Sequence, residues 1–84
     1  MGRSTLEVTV EVPKIEGVAG EAATLVKWIK KEGEYVKKGE PLLLIEFPKA
    51  EFEIPSPASG RLVKILAKEG KMVRVNNEVG VLQT

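Results

Sequence analysis

The sequence predicts an all-β fold: a small flattened barrel or sandwich of two antiparallel sheets with an internal pseudo-two-fold repeat. Three observations predict it. The first is a duplication. With Leu25 set over Leu62 at a constant offset of 37, Leu25-Val26-Lys27 matches Leu62-Val63-Lys64, and Lys31-Glu32-Gly33 matches Lys68-Glu69-Gly70. Val36-Lys37 then falls on Val73-Arg74 and Leu44-Ile45 on Val81-Leu82, with no gap over 21 positions. The second is period-two alternation of apolar and polar residues, the mark of a half-buried strand. The third is a turn signal every several residues, from Gly33, Gly39, Pro41, Pro48, Pro55, Pro57, Gly60 and Gly70. Two repeats are too few for a solenoid, so the halves are expected to close on each other.

Taken in order, Leu6 to Val12 sends Leu6, Val8, Val10 and Val12 to one face and Glu7, Thr9 and Glu11 to the other. Segments 24–29 and 61–66 fit a helical stripe as well as a strand, through Leu25, Trp28 and Ile29 and through Leu62, Ile65 and Leu66. Length decides for strands, because Gly33 and Gly70 end each run too early for a typical helix. Leu42 to Ile45 is a continuous apolar run, as in a strand buried on both faces. Glu51-Phe52-Glu53-Ile54 alternates again. The expected core is Leu25, Trp28, Val36, Leu44, Leu62, Ile65, Val73 and Val81, with Phe47 and Phe52 inward and paired on facing strands. Gly33, Gly39, Gly60 and Gly70 are expected to serve turns. The chain reads as one domain over 1–84, with repeat halves at 6–47 and 51–84 and a hairpin at 46–53 between them.

Composition narrows the chemistry. The 84 residues include no Cys and no His, and all 12 acids are Glu. Zinc held by Cys or His, disulfides, thiol nucleophiles and His-based pairs are excluded. No acidic loop has the form of a calcium or magnesium site. Thirteen basic residues against 12 acids leave a net charge of +1, so no polycation or polyanion behaviour is expected. Lys27, Lys30, Lys31, Lys37 and Lys38 cluster near Trp28 and Tyr35, a pattern that small barrels use on single-stranded nucleic acid. Glu32 and Glu34 interleave that cluster, and nucleic acid is not an expected partner. No run reaches the roughly 20 apolar residues of a membrane span. Met1-Gly2-Arg3-Ser4-Thr5 has no apolar signal core. An enzyme in its own right is not expected. Any chemistry must sit on something the chain carries.

The junction of the halves is where the sequence becomes specific. An apolar strand at 42–47 runs into Phe47-Pro48-Lys49-Ala50 and then into an alternating strand at 51–54. Proline suits the second position of a type I turn because its φ is fixed near −65°. Lys49 then takes the third, outermost position, with Glu46, Glu51 and Glu53 close by.

These residues resemble the biotinyl/lipoyl attachment domains, most closely the lipoyl domains of the acyltransferase subunit of 2-oxo acid dehydrogenase complexes. The resemblance is carried by Val12-Pro13-Lys14-Ile15, by Trp28 to Val36, by Gly39-Glu40-Pro41-Leu42, by Glu46 to Pro57, by Ser59-Gly60 and by Lys68-Glu69-Gly70. It implies the family's barrel-sandwich fold and lipoate attached covalently to Lys49, with biotin the less expected group. It also implies a supporting hairpin of Glu46, Phe47, Pro48, Ala50 and Glu51. The implied function is a swinging-arm carrier for acyl transfer between subunits. The implied partners are a lipoate ligase or lipoyl transferase and the E1, E2 catalytic core and E3 flavin enzyme of such a complex. The implied setting is the cytoplasm, or the mitochondrial matrix in a eukaryote, and the chain is expected to be a piece of a longer acyltransferase. Three departures are visible. Pro48 stands where lipoyl domains usually carry Asp, and Phe47 where they carry Thr. Asn76-Asn77 replaces the usual small turn of the second half. Biotinyl domains place Met on both sides of the Lys, and neither is present here. An unmodified structural or adaptor barrel and a biotin carrier of a carboxylase stay open as alternatives.

Overall fold

The computed structural model describes residues 6–17 and 22–84, and the pentapeptide read above for a signal core lies outside them. Among these residues every regular element is a strand: β1 (Glu7–Glu11), β2 (Ala23–Trp28), β3 (Tyr35–Val36), β4 (Pro41–Phe47), β5 (Ala50–Pro55), β6 (Gly60–Ile65), β7 (Met72–Val73) and β8 (Glu78–Gln83). They form two four-stranded sheets, ordered β1-β8-β6-β3 and β5-β4-β2-β7. Every pairing is antiparallel. The offset of the duplication carries β2, β3 and β4 onto β6, β7 and β8. The halves are interlaced, because β3 of the first pairs with β6 of the second, and β7 of the second pairs with β2 of the first.

The helix-like spacing in the two ambiguous segments has a structural cause. The register of β2 shifts between Leu25 and Lys27, and that of β6 between Leu62 and Lys64. A bulge places two residues opposite one and breaks the alternation. Leu25 and Trp28 therefore face inward together although they are three apart, as do Leu62 and Ile65. A second pair of bulges explains the apolar run of β4. Register shifts between Pro41 and Leu43, so Leu42 and Leu43 are both fully buried while Leu44 turns outward and is half-buried. The run is thus a kinked one-faced strand, and its two-face reading is corrected. Val79 and Gly80 repeat the arrangement opposite the shift between Val10 and Glu11.

The core holds Leu25, Val36, Leu62 and Val73 as expected, joined by Val10, Val12, Leu42, Leu43, Ile45, Val79 and Leu82. Leu44 and Val81 are half-buried two-fold mates on the outer faces. Trp28 and Ile65 are partly buried and pack against the core. The Trp28 indole N–H donates to the Ala67 carbonyl at 2.8 Å. Its ring lies over Gly80, where a Cβ would come within 2.9 Å of the ring edge.

The matching Lys-Glu-Gly triplets also acquire a reason. Glu32 Oε2 accepts the Ile65 backbone N–H at 2.7 Å, and Glu69 Oε2 accepts the Trp28 N–H at 2.9 Å. Each half thereby satisfies the strand end of the other. The exchange continues in the backbone, where Gly33 N–H donates to the Leu62 carbonyl at 2.6 Å and Gly70 N–H to the Leu25 carbonyl at 2.7 Å. A hydrogen bond to a charged group contributes about 1.5 kcal/mol where it is not strongly solvated. Both sites are exposed, so Glu32→Ala and Glu69→Ala are each expected to lower stability by about 1 kcal/mol. Chemical denaturation checks this, and unchanged midpoints in both variants would remove the exchange as a stabilising element.

The turn after β3 and its mate after β7 share one design. Gly39 and Asn76 both have positive φ, at 92° and 72°, and Asn is among the residues that tolerate this region. Glu40 Oε1 accepts the Lys37 N–H at 2.9 Å, and Asn77 Oδ1 accepts the Arg74 N–H at 2.8 Å. The Asn76-Asn77 departure is therefore a chemical substitute for Gly39-Glu40. Gly60 corrects an expectation. It opens β6 opposite Val36 instead of serving a turn, and its lack of a side chain lets the Gln83 backbone pass close by.

Candidate functional site

β4 and β5 form a hairpin whose last pair is Phe47 and Ala50, so Pro48 and Lys49 alone make the turn. Hairpins with two-residue turns generally prefer positive φ at one or both turn positions. Neither Pro48 nor Lys49 has one, and no peptide bond among the described residues is cis, in keeping with the type I turn that Pro48 implies. The proline ring holds this tip in a shape that the flanking strands must be made to accept. Pro48→Gly frees the unfolded chain at that position, and a loss of about 1 kcal/mol in chemical denaturation is expected. No change would show that Pro48 is not shaping the turn.

The acceptance comes from beneath. Phe47 is 1 % exposed and Phe52 half-buried, and their rings meet edge to face with centroids 5.9 Å apart. They pair across facing strands as expected from sequence, and do so diagonally, because Phe52 lies opposite Ile45 and Phe47 opposite Ala50. Such aromatic pairs add about 1 kcal/mol beyond their burial. The inner face of the hairpin is therefore anchored up to the last residue before the turn.

The outer face carries the charge. Glu46 and Glu51 are exposed and directly opposite each other, with Glu53 next along the same face. Like charges directly opposed are mildly destabilising, so these two residues contribute field and not packing. Lys49 is exposed at the tip and forms no ion pair among the described residues. The structure thus brings Glu46, Phe47, Pro48, Ala50 and Glu51 together around Lys49. It leaves Lys49 exposed at the tip of its sheet. An amine so placed fits amide attachment: its nitrogen is open to a modifying enzyme and is committed to no partner in the fold. No group of acidic side chains suited to a metal ion occurs among the described residues.

One neighbour of the turn was not legible in the sequence. Met72 in β7 is 66 % exposed and lies one strand beyond β2, which separates it from β4. With Gly17, Ala22, Phe47, Pro48 and Ala50 it lines an open recess that reaches Lys49. The offset of 37 marked Met72 only as the mate of Tyr35, itself exposed, and no chemical pattern in the sequence links it to the turn.

Residues 8–82 match the family model described as "Biotin-requiring enzyme". The chain is 43% identical over 74 residues to the dihydrolipoyllysine-residue succinyltransferase component of the 2-oxoglutarate dehydrogenase complex of Bartonella vinsonii subsp. berkhoffii, covering 88% of this chain and 18% of that one. It is 41% identical over 66 residues to the dihydrolipoyllysine-residue acetyltransferase component of the pyruvate dehydrogenase complex of Corynebacterium glutamicum, covering 79% of this chain and 10% of that one. The chain therefore spans less than a fifth of the length of these curated relatives. Among solved structures, the lipoyl domain of the 2-oxoglutarate dehydrogenase complex from Azotobacter vinelandii superposes with a TM-score of 0.65 at 29% identity, over 89% of this chain and 95% of that one. A single-chain, multi-domain long-chain acyl-CoA carboxylase shares the fold at a TM-score of 0.73 and 24% identity, over 93% of this chain and 7% of that one.

Proposed function

The chain belongs to the biotin/lipoyl attachment family, and on that premise we propose that it is a lipoyl carrier domain of a 2-oxo acid dehydrogenase acyltransferase, with Lys49 as the attachment residue. The observation that carries the reading is the presentation of Lys49. It is the outer residue of a two-residue turn on an anchored hairpin, exposed and without an ion pair among the described residues. When bound there, a lipoyl group supplies a dithiolane that takes up an acyl group as it is reduced.

The chain's own part is mechanical and electrostatic. Phe47 and Phe52 hold the hairpin, Pro48 fixes its tip, and Lys49 supplies the amide nitrogen and a flexible stem. Glu46 and Glu51 give the approaching modifying enzyme a negative face two residues below the turn, in place of the acid that Pro48 displaces. A rigid tip bearing a tethered group raises that group's local concentration at each active site it reaches. The reactive chemistry stays with the cofactor. The proposed partners are a lipoate ligase or lipoyl transferase, and the E1, E2 and E3 components of the parent complex.

The test is intact mass. Incubation with lipoate, ATP and a lipoate ligase is expected to add one lipoyl group. Absence of any gain sinks the reading, and a gain only with biotin and a biotin ligase transfers the domain to the biotin branch.

A further inference from the structure

We propose that the recess beside the attachment turn is a resting site for the arm itself, so that the group on Lys49 alternates between a docked and an extended state. The inference rests on the carrier reading and adds an interaction between this chain's own residues and the cofactor it bears. Met72 is the key observation. A methionine 66 % exposed on an edge strand does little for the core. Together with Ala22, Phe47, Pro48 and Ala50 it instead lines an open recess that Lys49 also lines. Phe47, otherwise buried, is among the residues that line it. A second recess shares Ala22, Phe47, Pro48 and Met72 with the first and adds only the polar Thr24 and Glu46, so the apolar surface is confined to the neighbourhood of the turn.

The occupant is fixed by the tether. A group joined to Lys49 Nζ cannot diffuse away from a recess that Lys49 lines, and so meets it at high effective concentration. That group is an eight-carbon apolar chain ending in a disulfide ring. Its methylenes match Ala22, Pro48 and Ala50. Methionine is an adaptable, polarizable surface suited to a soft and irregular partner. The recess is open, which suits reversible contact and not sequestration. Docking must be weak enough for partner enzymes to compete for the arm.

The experiment uses the lipoylated protein, with Met72→Gln as the variant; the side chain is exposed, so the fold is retained. Nuclear Overhauser contacts are expected between the arm methylenes and the Met72 methyl group, with shifts of the Ala22 and Ala50 methyls on lipoylation. Reduction of the ring by dithiothreitol gives a second readout. An arm docked about two-thirds of the time reacts about threefold more slowly than a free one, since only the extended fraction is attacked. Met72→Gln is expected to abolish the contacts at that position and restore most of the threefold. Lipoylation without contacts, and with equal reduction rates in parent and variant, overturns the docking proposal alone. Failure of the lipoate ligase to add mass overturns the carrier reading, and the docking proposal with it.

Discussion

If the carrier reading holds, Lys49→Arg is expected to abolish attachment completely while the protein keeps its stability. Both halves of this expectation follow from the geometry. Amide formation needs a nitrogen that can lose its proton and attack an activated carboxyl. A lysine amine does so, but the arginine guanidinium stays protonated under all ordinary conditions. The chain has ten Lys, so loss of one leaves nine other amines. None of them stands in a two-residue hairpin turn. Lys27 and Lys64 are exposed near the ends of β2 and β6, and Lys37 and Lys38 lie in a turn of different form closed by Glu40. A modifying enzyme that reads the shape of the β4–β5 tip finds no second example. The substitution falls on an exposed side chain without an ion pair among the described residues, so its cost is expected to stay within about 0.5 kcal/mol. Mass spectrometry after ligase treatment, with a thermal melt alongside, reads both. Residual modification of the variant would move the attachment point elsewhere.

Gly60→Ala is expected to be the most damaging single-methyl change in the molecule. A Cβ built on Gly60 falls 2.5 Å from the Gln83 carbonyl oxygen, 3.0 Å from the carbon of that carbonyl and 3.2 Å from the Thr84 Cα. All three are backbone atoms, so no rotamer change relieves the contact. Relief requires β6 and β8 to part, and their pairing of Arg61 with Gln83 lies directly beside the clash. Overpacking costs typically 1–3 kcal/mol, and with only backbone to yield we expect about 3 kcal/mol. In a domain of this size that lowers the melting temperature by roughly 15 °C. Leu6→Ala, at a side chain 67 % exposed, serves as the control with little expected change. A Gly60→Ala melt within about 2 °C of the parent would show that the strands separate at little cost.

Much of this arrangement was legible in the sequence. The duplication predicted the two-fold, and Pro48-Lys49 predicted the turn and its outermost amine. What escaped was set by partners that a linear reading does not contain. The bulges in β2 and β6 give a strand the inward spacing of a helix. Only the register of Lys27 on Leu44 and Lys64 on Val81 reveals them. The apolar run of β4 looked two-faced because an extra residue, Leu42, interrupts its pleat. Gly60 resembled every other turn glycine, since its constraint comes from a backbone 23 residues away in sequence at Gln83. Met72 carried no signal, because its significance lies in the strand order that brings β7 alongside β2.

The interlacing of the halves bears on when the attachment site comes into existence. The edge of β2 waits for β7, β3 waits for β6, and β1 waits for β8 at the far end of the chain. A nascent chain that has just delivered the β4–β5 hairpin from the ribosome has one sheet incomplete and the opposing layer missing. Phe47 then has no interior to enter, and an isolated hairpin is marginally stable in water. Topologies dominated by distant pairings fold late and on the millisecond-to-second scale. An enzyme of the proposed kind, recognising the shaped tip, would therefore meet it only after β8 has emerged. Under the proposed carrier function, the fold would act as a checkpoint that keeps a cofactor from being committed to unfinished chains.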